Sequence, residues 1–152
     1  MRVYSDGKGK VETAFGSAFP KISGLVFSPN RELLVTASVD RSIKMWDAAS
    51  GTLRHSSSQH TDIAHGLAFR PRATGGANVP CFCVSASRDK TVRVWQPSIG
   101  RVVRIVCGHG GPVFAVVYSA DGARLYSAGQ EGIVRVNLRS RLLINASRRA
   151  RI

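Results

Sequence analysis

Apolar residues along this chain gather in short runs, and the gaps between the runs are filled by turn formers. Ile22 to Phe27 leads into Ser28-Pro29-Asn30, and the next apolar run spans Leu33 to Ala37. Val39-Asp40-Arg41 then marks a turn, Ser42 to Trp46 a third run and Thr52 to His55 a weaker fourth. Val, Ile, Phe, Thr and Trp dominate the runs, while Pro, Asn, Asp and Gly sit between them, which predicts short antiparallel strands. No segment sustains an apolar period of 3.6 residues, so helix content is expected to be small.

The same pattern then recurs. A second copy runs from Phe69-Arg70-Pro71 through "CVSASRDKTVRVWQ", and a third from Tyr118-Ser119-Ala120-Asp121-Gly122 through "RLYSAGQEGIVRVN". Phe27 to Phe69 is 42 residues and Phe69 to Tyr118 is 49; Asp40 to Asp89 is 49 and Asp89 to Glu131 is 42. The extra residues fall after Phe69, where 72–78 reads as an inserted loop. Counting back 42 from Trp46 reaches Tyr4, so 1–15 reads as the second half of an earlier copy. The expected units are therefore 1–15, 16–55, 56–106 and 107–144, with 145–152 as a basic tail. Four strands in about 42 residues is the size of one propeller blade.

Several residues carry a family resemblance. Trp46-Asp47, the Asp-x₅-Trp spacing in two copies and Gly108-His109 opening the third make the chain similar to the WD-repeat β-propeller family, over nearly everything from Met1 to about Ile144. The implied fold class is all-β: a partial propeller of four-stranded antiparallel blades, about three of them complete plus half of a preceding one. The resemblance also implies a structural tetrad in each blade, formed by a His, a strand Ser or Thr, a turn Asp and a strand Trp. The second copy supplies all four with His60, Ser85, Asp89 and Trp95. The first offers Thr36, Asp40 and Trp46 with Ala18 in place of His, and the third offers His109 and Ser127 with Glu131 for Asp and Asn137 for Trp. The third network is accordingly expected to be incomplete. In this family the residue before the turn acid commonly points to the binding face, which makes Val39, Arg88 and Gln130 the candidate partner contacts, Arg88 first because its guanidinium can pair bidentately with a carboxylate.

Charge adds a second candidate surface. The chain carries a formal net charge of +13 in 152 residues, and from Pro97 onward nine arginines face only Asp121 and Glu131. Arg139, Arg141, Arg148, Arg149 and Arg151 crowd the last fourteen residues. Such a run would attract RNA, chromatin, an acidic microtubule surface or another acidic partner. The alternative is a solvated end, with Leu142-Leu143-Ile144 as an outer strand. Whether Arg93, Arg101, Arg104 and Arg135 lie on one face with that run discriminates between the two.

Catalytic and metal chemistry find little support. His60, Ser85 and Asp89 contain the residue types of a hydrolytic triad, but their recurrence at repeat spacing fits a structural network. Gly7-Lys8-Gly9-Lys10 lacks P-loop spacing, and His109-Gly110-Gly111 has no G-x-S-x-G elbow to serve. Cys81, Cys83 and Cys107 form no CxxC pair, so neither zinc nor any other cofactor is expected. That cysteine usage suits a reducing compartment, the cytoplasm with the nucleus as second choice. No apolar run is long enough for membrane insertion. Closed propellers need 4–8 blades, so the ring is expected to be completed by further sequence of a longer protein or by another chain, the remaining alternative being an open arc seated against a partner. The expected function is a non-catalytic scaffold that binds other proteins in a complex.

Overall fold

The computed structural model describes residues 21–71, 81–138 and 148–150. These residues form twelve strands and no helix: β1 Ile22–Phe27, β2 Leu33–Ser38, β3 Ile43–Asp47, β4 Leu53–Ser57, β5 Ala64–Phe69, β6 Cys83–Ser87, β7 Val92–Gln96, β8 Arg101–Val106, β9 Val113–Tyr118, β10 Arg124–Gly129, β11 Val134–Leu138 and β12 Arg148–Ala150. They assemble into three antiparallel meanders in sequence order, β1-β2-β3-β4, β5-β6-β7-β8 and β9-β10-β11-β12, which we call blades 1, 2 and 3. With no helix among the described residues, none is long and apolar enough to cross a membrane.

Sheet faces of successive blades bury one another. Val35, Ala37, Ile43 and Met45 on the trailing face of blade 1 pack with Ala64, Phe69, Cys83 and Trp95 on the leading face of blade 2. The repeat-equivalent residues Val84, Ala86, Val92 and Val94 pack in turn with Val113, Val116, Tyr118 and Leu125 of blade 3. Packing on both faces leaves nearly every position of the middle strands β2, β6 and β7 buried, the polar Ser85, Ser87 and Arg93 included. The leading face of blade 1 lacks that cover: Leu25 and Phe27 are 64% and 49% exposed, against 9% for Phe69 and 8% for Tyr118 at the position of Phe27.

Two glycines set how closely the blades approach. A Cβ added to Gly24 would lie 2.4 Å from the His65 carbonyl oxygen, and one added to Gly66 would lie 2.9 Å from that of Phe114. Both stand on the inner strand of their blade, at equivalent positions. Blade 3 carries Ala115 there, on a face left exposed.

One expectation is corrected. The outer strand of blade 3 is β12, paired with β11 through Val134↔Ala150, Arg135↔Arg149 and Val136↔Arg148. Part of 145–152 is thus blade rather than tail. Leu142–Ile144, where an outer strand was expected, lies outside the described residues, as do 1–20, 72–80 and the arginines at 139, 141 and 151. Blades 1 and 2 reach their outer strands through tight turns ending at Gly51 and Gly100, both at positive φ. Leu142 stands at the corresponding position of the third copy.

Candidate functional site

The hairpin between the two middle strands of each blade is the same three-residue turn. Ser38 N bonds Ser42 O across the first and Ser87 N bonds Thr91 O across the second. Arg41, Lys90 and Gly132 occupy the last turn position at φ of 73°, 69° and 69°. This is a type I turn closed by a left-handed residue, a geometry that glycine adopts freely and a side chain only at some cost. The turn acid sits one residue earlier, at Asp40, Asp89 and Glu131.

Blade 2 brings His60, Ser85, Asp89 and Trp95 into one chain of hydrogen bonds. Trp95 Nε1 donates to Ser85 Oγ at 2.7 Å, the Ser85 hydroxyl donates to His60 Nε2 at 2.7 Å, and His60 Nδ1 donates to Asp89 Oδ2 at 2.7 Å. The directions are forced. An indole only donates and a carboxylate only accepts, so the hydroxyl proton has one place left to go. Asp89 also receives the amides of Thr61 at 3.2 Å and Thr91 at 3.0 Å and the Thr91 hydroxyl at 2.6 Å.

That arrangement sets the charge states. Burial pushes the His60 imidazole below its ordinary value, and Asp89 offsets this only in part. A proton on Nε2 would also leave the Ser85 hydroxyl hydrogen without its acceptor. Burial alone would raise the Asp89 carboxyl, but the bonds from Thr91 and His60 outweigh it and hold the group below its usual range.

Blade 3 builds the same chain without its indole. Ser127 Oγ and Glu131 Oε1 each lie 2.8 Å from a ring nitrogen of His109, and Glu131 Oε2 accepts the Gly111 amide at 2.7 Å. The longer glutamate therefore reaches the imidazole, and the expected gap reduces to the missing tryptophan, with Asn137 buried in its place. Blade 1 keeps the bond from Trp46 Nε1 to Thr36 Oγ1 at 3.0 Å, while Asp40 caps its own turn by accepting the Ser42 amide at 2.9 Å. Ala18 lies outside the described residues.

Arg93 and Arg135 are participants that the sequence reading did not place. Each is buried, opposite Ser85 and Ser127 in strand register. Their guanidinium groups face Asp89 at 3.8 Å and Glu131 at 3.5 Å. Lys44 holds the equivalent register opposite Thr36. The recurring basic residue two positions before Trp46, Trp95 and Asn137 was the available signal. Arg101 and Arg104 lie elsewhere, on the outer strand β8, so these four residues do not form one basic face.

Val39, Arg88 and Gln130 come to equivalent points on one rim. Their amides bond the carbonyls of Lys21 at 2.9 Å, Ile63 at 2.9 Å and Pro112 at 2.8 Å, tying each turn to the start of its blade's inner strand. Val39 is 40% exposed, and Arg88 and Gln130 are exposed as well.

Comparison with known proteins places these features in a wider set. The family profile described as "WD domain, G-beta repeat" matches residues 10–47, 51–96 and 100–136. The chain is 36% identical over 126 residues to "WD repeat and SOCS box-containing protein 1" of Danio rerio, covering 76% of this chain and 28% of that protein. The human protein of that name is 34% identical over the same shares. "Nuclear distribution protein PAC1" of Arthroderma otae is 35% identical over 106 residues, covering 68% of this chain and 23% of that protein. The chain thus spans about a quarter of the length of these relatives.

Proposed function

The chain belongs to the WD-repeat family, and from that premise we propose that it is a non-catalytic scaffold whose turn rim binds protein partners within a larger assembly. The observation that carries this is the anchoring of the three turns, each tied by a backbone hydrogen bond to an inner strand, so that Val39, Arg88 and Gln130 are held in place. Rigidly held loop residues recognise a partner at low entropic cost. Arg88 is the principal contact, its fork suited to a partner carboxylate. The His-Ser-Asp set of blade 2 serves structure: Ser85 is wholly buried and accepts from Trp95, so its oxygen cannot meet a substrate.

The open leading face of blade 1 supports completion of the ring by further blades, of a longer protein or of another chain. Three unpaired cysteines, with the buried Cys83 thiol pushed up by desolvation, support an intracellular setting, cytoplasmic or nuclear. The polyanion reading gains nothing from Arg93 and Arg135, which are buried within their blades.

Affinity capture from cell extract at physiological and raised salt tests the proposal. Proteins retained at raised salt should be lost with Arg88→Glu and kept with Asp121→Lys at the opposite rim. Capture that disappears on nuclease treatment, or that ignores Arg88→Glu, overturns it.

A further inference from the structure

We propose that the rim of blades 1 and 2 recognises an acidic, extended segment of a protein partner, through Lys21, Arg41, Arg88 and Lys90. This rests on the rim being the partner surface. All four residues are exposed, and among the described residues none has an ion-pair partner. The acids of the tetrads do not offset them. Asp89 and Glu131 are drawn inward to His60 and His109. Among the described residues only Asp40 and Asp62 remain on the rim, each accepting a nearby backbone amide, Ser42 at 2.9 Å and Ile63 at 2.7 Å.

Backbone geometry sharpens the assignment. Arg41 and Lys90 hold left-handed conformations that cost a side chain free energy, at a position where blade 3 has glycine at the same φ. A strained backbone retained at a surface is an indicator of function when the strained side chain points to a use. The use available here is charge: blades 1 and 2 present cations, and blade 3 presents Gln130 and Gly132. Exposed Val39 adds an apolar contact on the same rim. Cations separated by Asp40, Asp62 and Val39 suit a segment that alternates carboxylates with apolar residues. A continuous run of phosphates would meet those two aspartates unfavourably.

The test is fluorescence anisotropy on the full chain at physiological salt, with a labelled peptide of alternating glutamate and leucine and, separately, a labelled oligouridylate. Arg41→Gly with Lys90→Gly preserves the turn, because glycine suits its φ. The double variant should weaken peptide binding by about tenfold, the effect of losing two modest charge contacts. Arg31→Gly is the matched control: Arg31 also has positive φ, at 59°, but lies in the turn between β1 and β2 at the other end of blade 1. It should change binding by less than about twofold. No peptide binding, equal losses for the two variants, or tighter oligouridylate binding through Arg41 and Lys90 would each overturn the proposal. If the double variant keeps partners that Arg88→Glu loses from extract, the rim remains the partner surface and only the acidic segment is rejected.

Discussion

Blades 2 and 3 solve one problem with different parts. Each must bury a histidine and a carboxylate beside a strand hydroxyl. In blade 2 the carboxylate also organises its own turn through Thr91, which tolerates Lys90 at positive φ. In blade 3 Glu131 spends its second oxygen on the Gly111 amide, Ile133 replaces Thr91, and Gly132 removes the need for that help. The residues of a blade are thus exchangeable where a compensating change sits nearby. The indole is the exception: Trp95 donates to Ser85, and blade 3 has Asn137 in its place.

Five measurements would break or sharpen that contrast. Trp95→Ala should cost about 3–5 kcal/mol in urea unfolding followed by circular dichroism, for the cavity and the lost bond together. Asn137→Ala should cost about 1 kcal/mol, and equal losses would show that the indole is not what separates the blades. Asp89→Ala should cost about 3 kcal/mol by stranding His60 and Arg93, whereas Asp121→Ala, at an exposed turn bonded to Ser119 and Ala123, should hardly move the midpoint. Matching shifts for these two would mean the network has been misread.

Gly66→Ala should cost about 1–3 kcal/mol, the range of an overpacked contact, because its Cβ would press on the Phe114 carbonyl. Ala115→Gly, on the exposed face, should cost under about 1 kcal/mol, as for any glycine in a strand. A smaller effect is set by pH. Both His60 and His109 have lowered folded pKa values, chiefly from burial. The unfolded chain therefore takes up protons first, so this stability is present above about pH 6.5 and is lost as pH falls through the folded values. Melting temperature should drop from pH 7 to pH 5, and His60→Gln should flatten the slope more than His109→Gln, because Ser127 has no indole competing for its lone pairs. Melting that rises on acidification would reverse the sign. The least effect is expected for Lys90→Gly, a gain of up to about 1 kcal/mol, with Gly132→Lys losing a similar amount.

Much of this architecture was legible in the sequence, because β-branched runs and turn residues repeat at fixed spacing and each copy tests the others. The pairing of Asp89 and Trp95 with Ser85 and His60 came from the family resemblance, once the repeat had set which positions correspond. Three things escaped. Arg93 and Arg135 counted towards a basic surface, since a basic residue recurring at one strand position does not reveal that its stem is buried with its head against the turn acid. Glu131 read as a defect because one methylene of reach is invisible in a residue letter. Arg148–Ala150 reads as tail, as two arginines and an alanine carry no strand signal until β11 offers them an edge.

A single methyl group gives the stack of blades a direction. The carbonyls of His65 and Phe114 settle into hollows left by Gly24 and Gly66, so those two junctions are keyed like tongue and groove. Ala115 fills the third hollow before anything arrives. Any sheet that seats on blade 3 in the same manner must ride higher on that face, so the pitch between neighbours is written residue by residue and is not a constant of the fold.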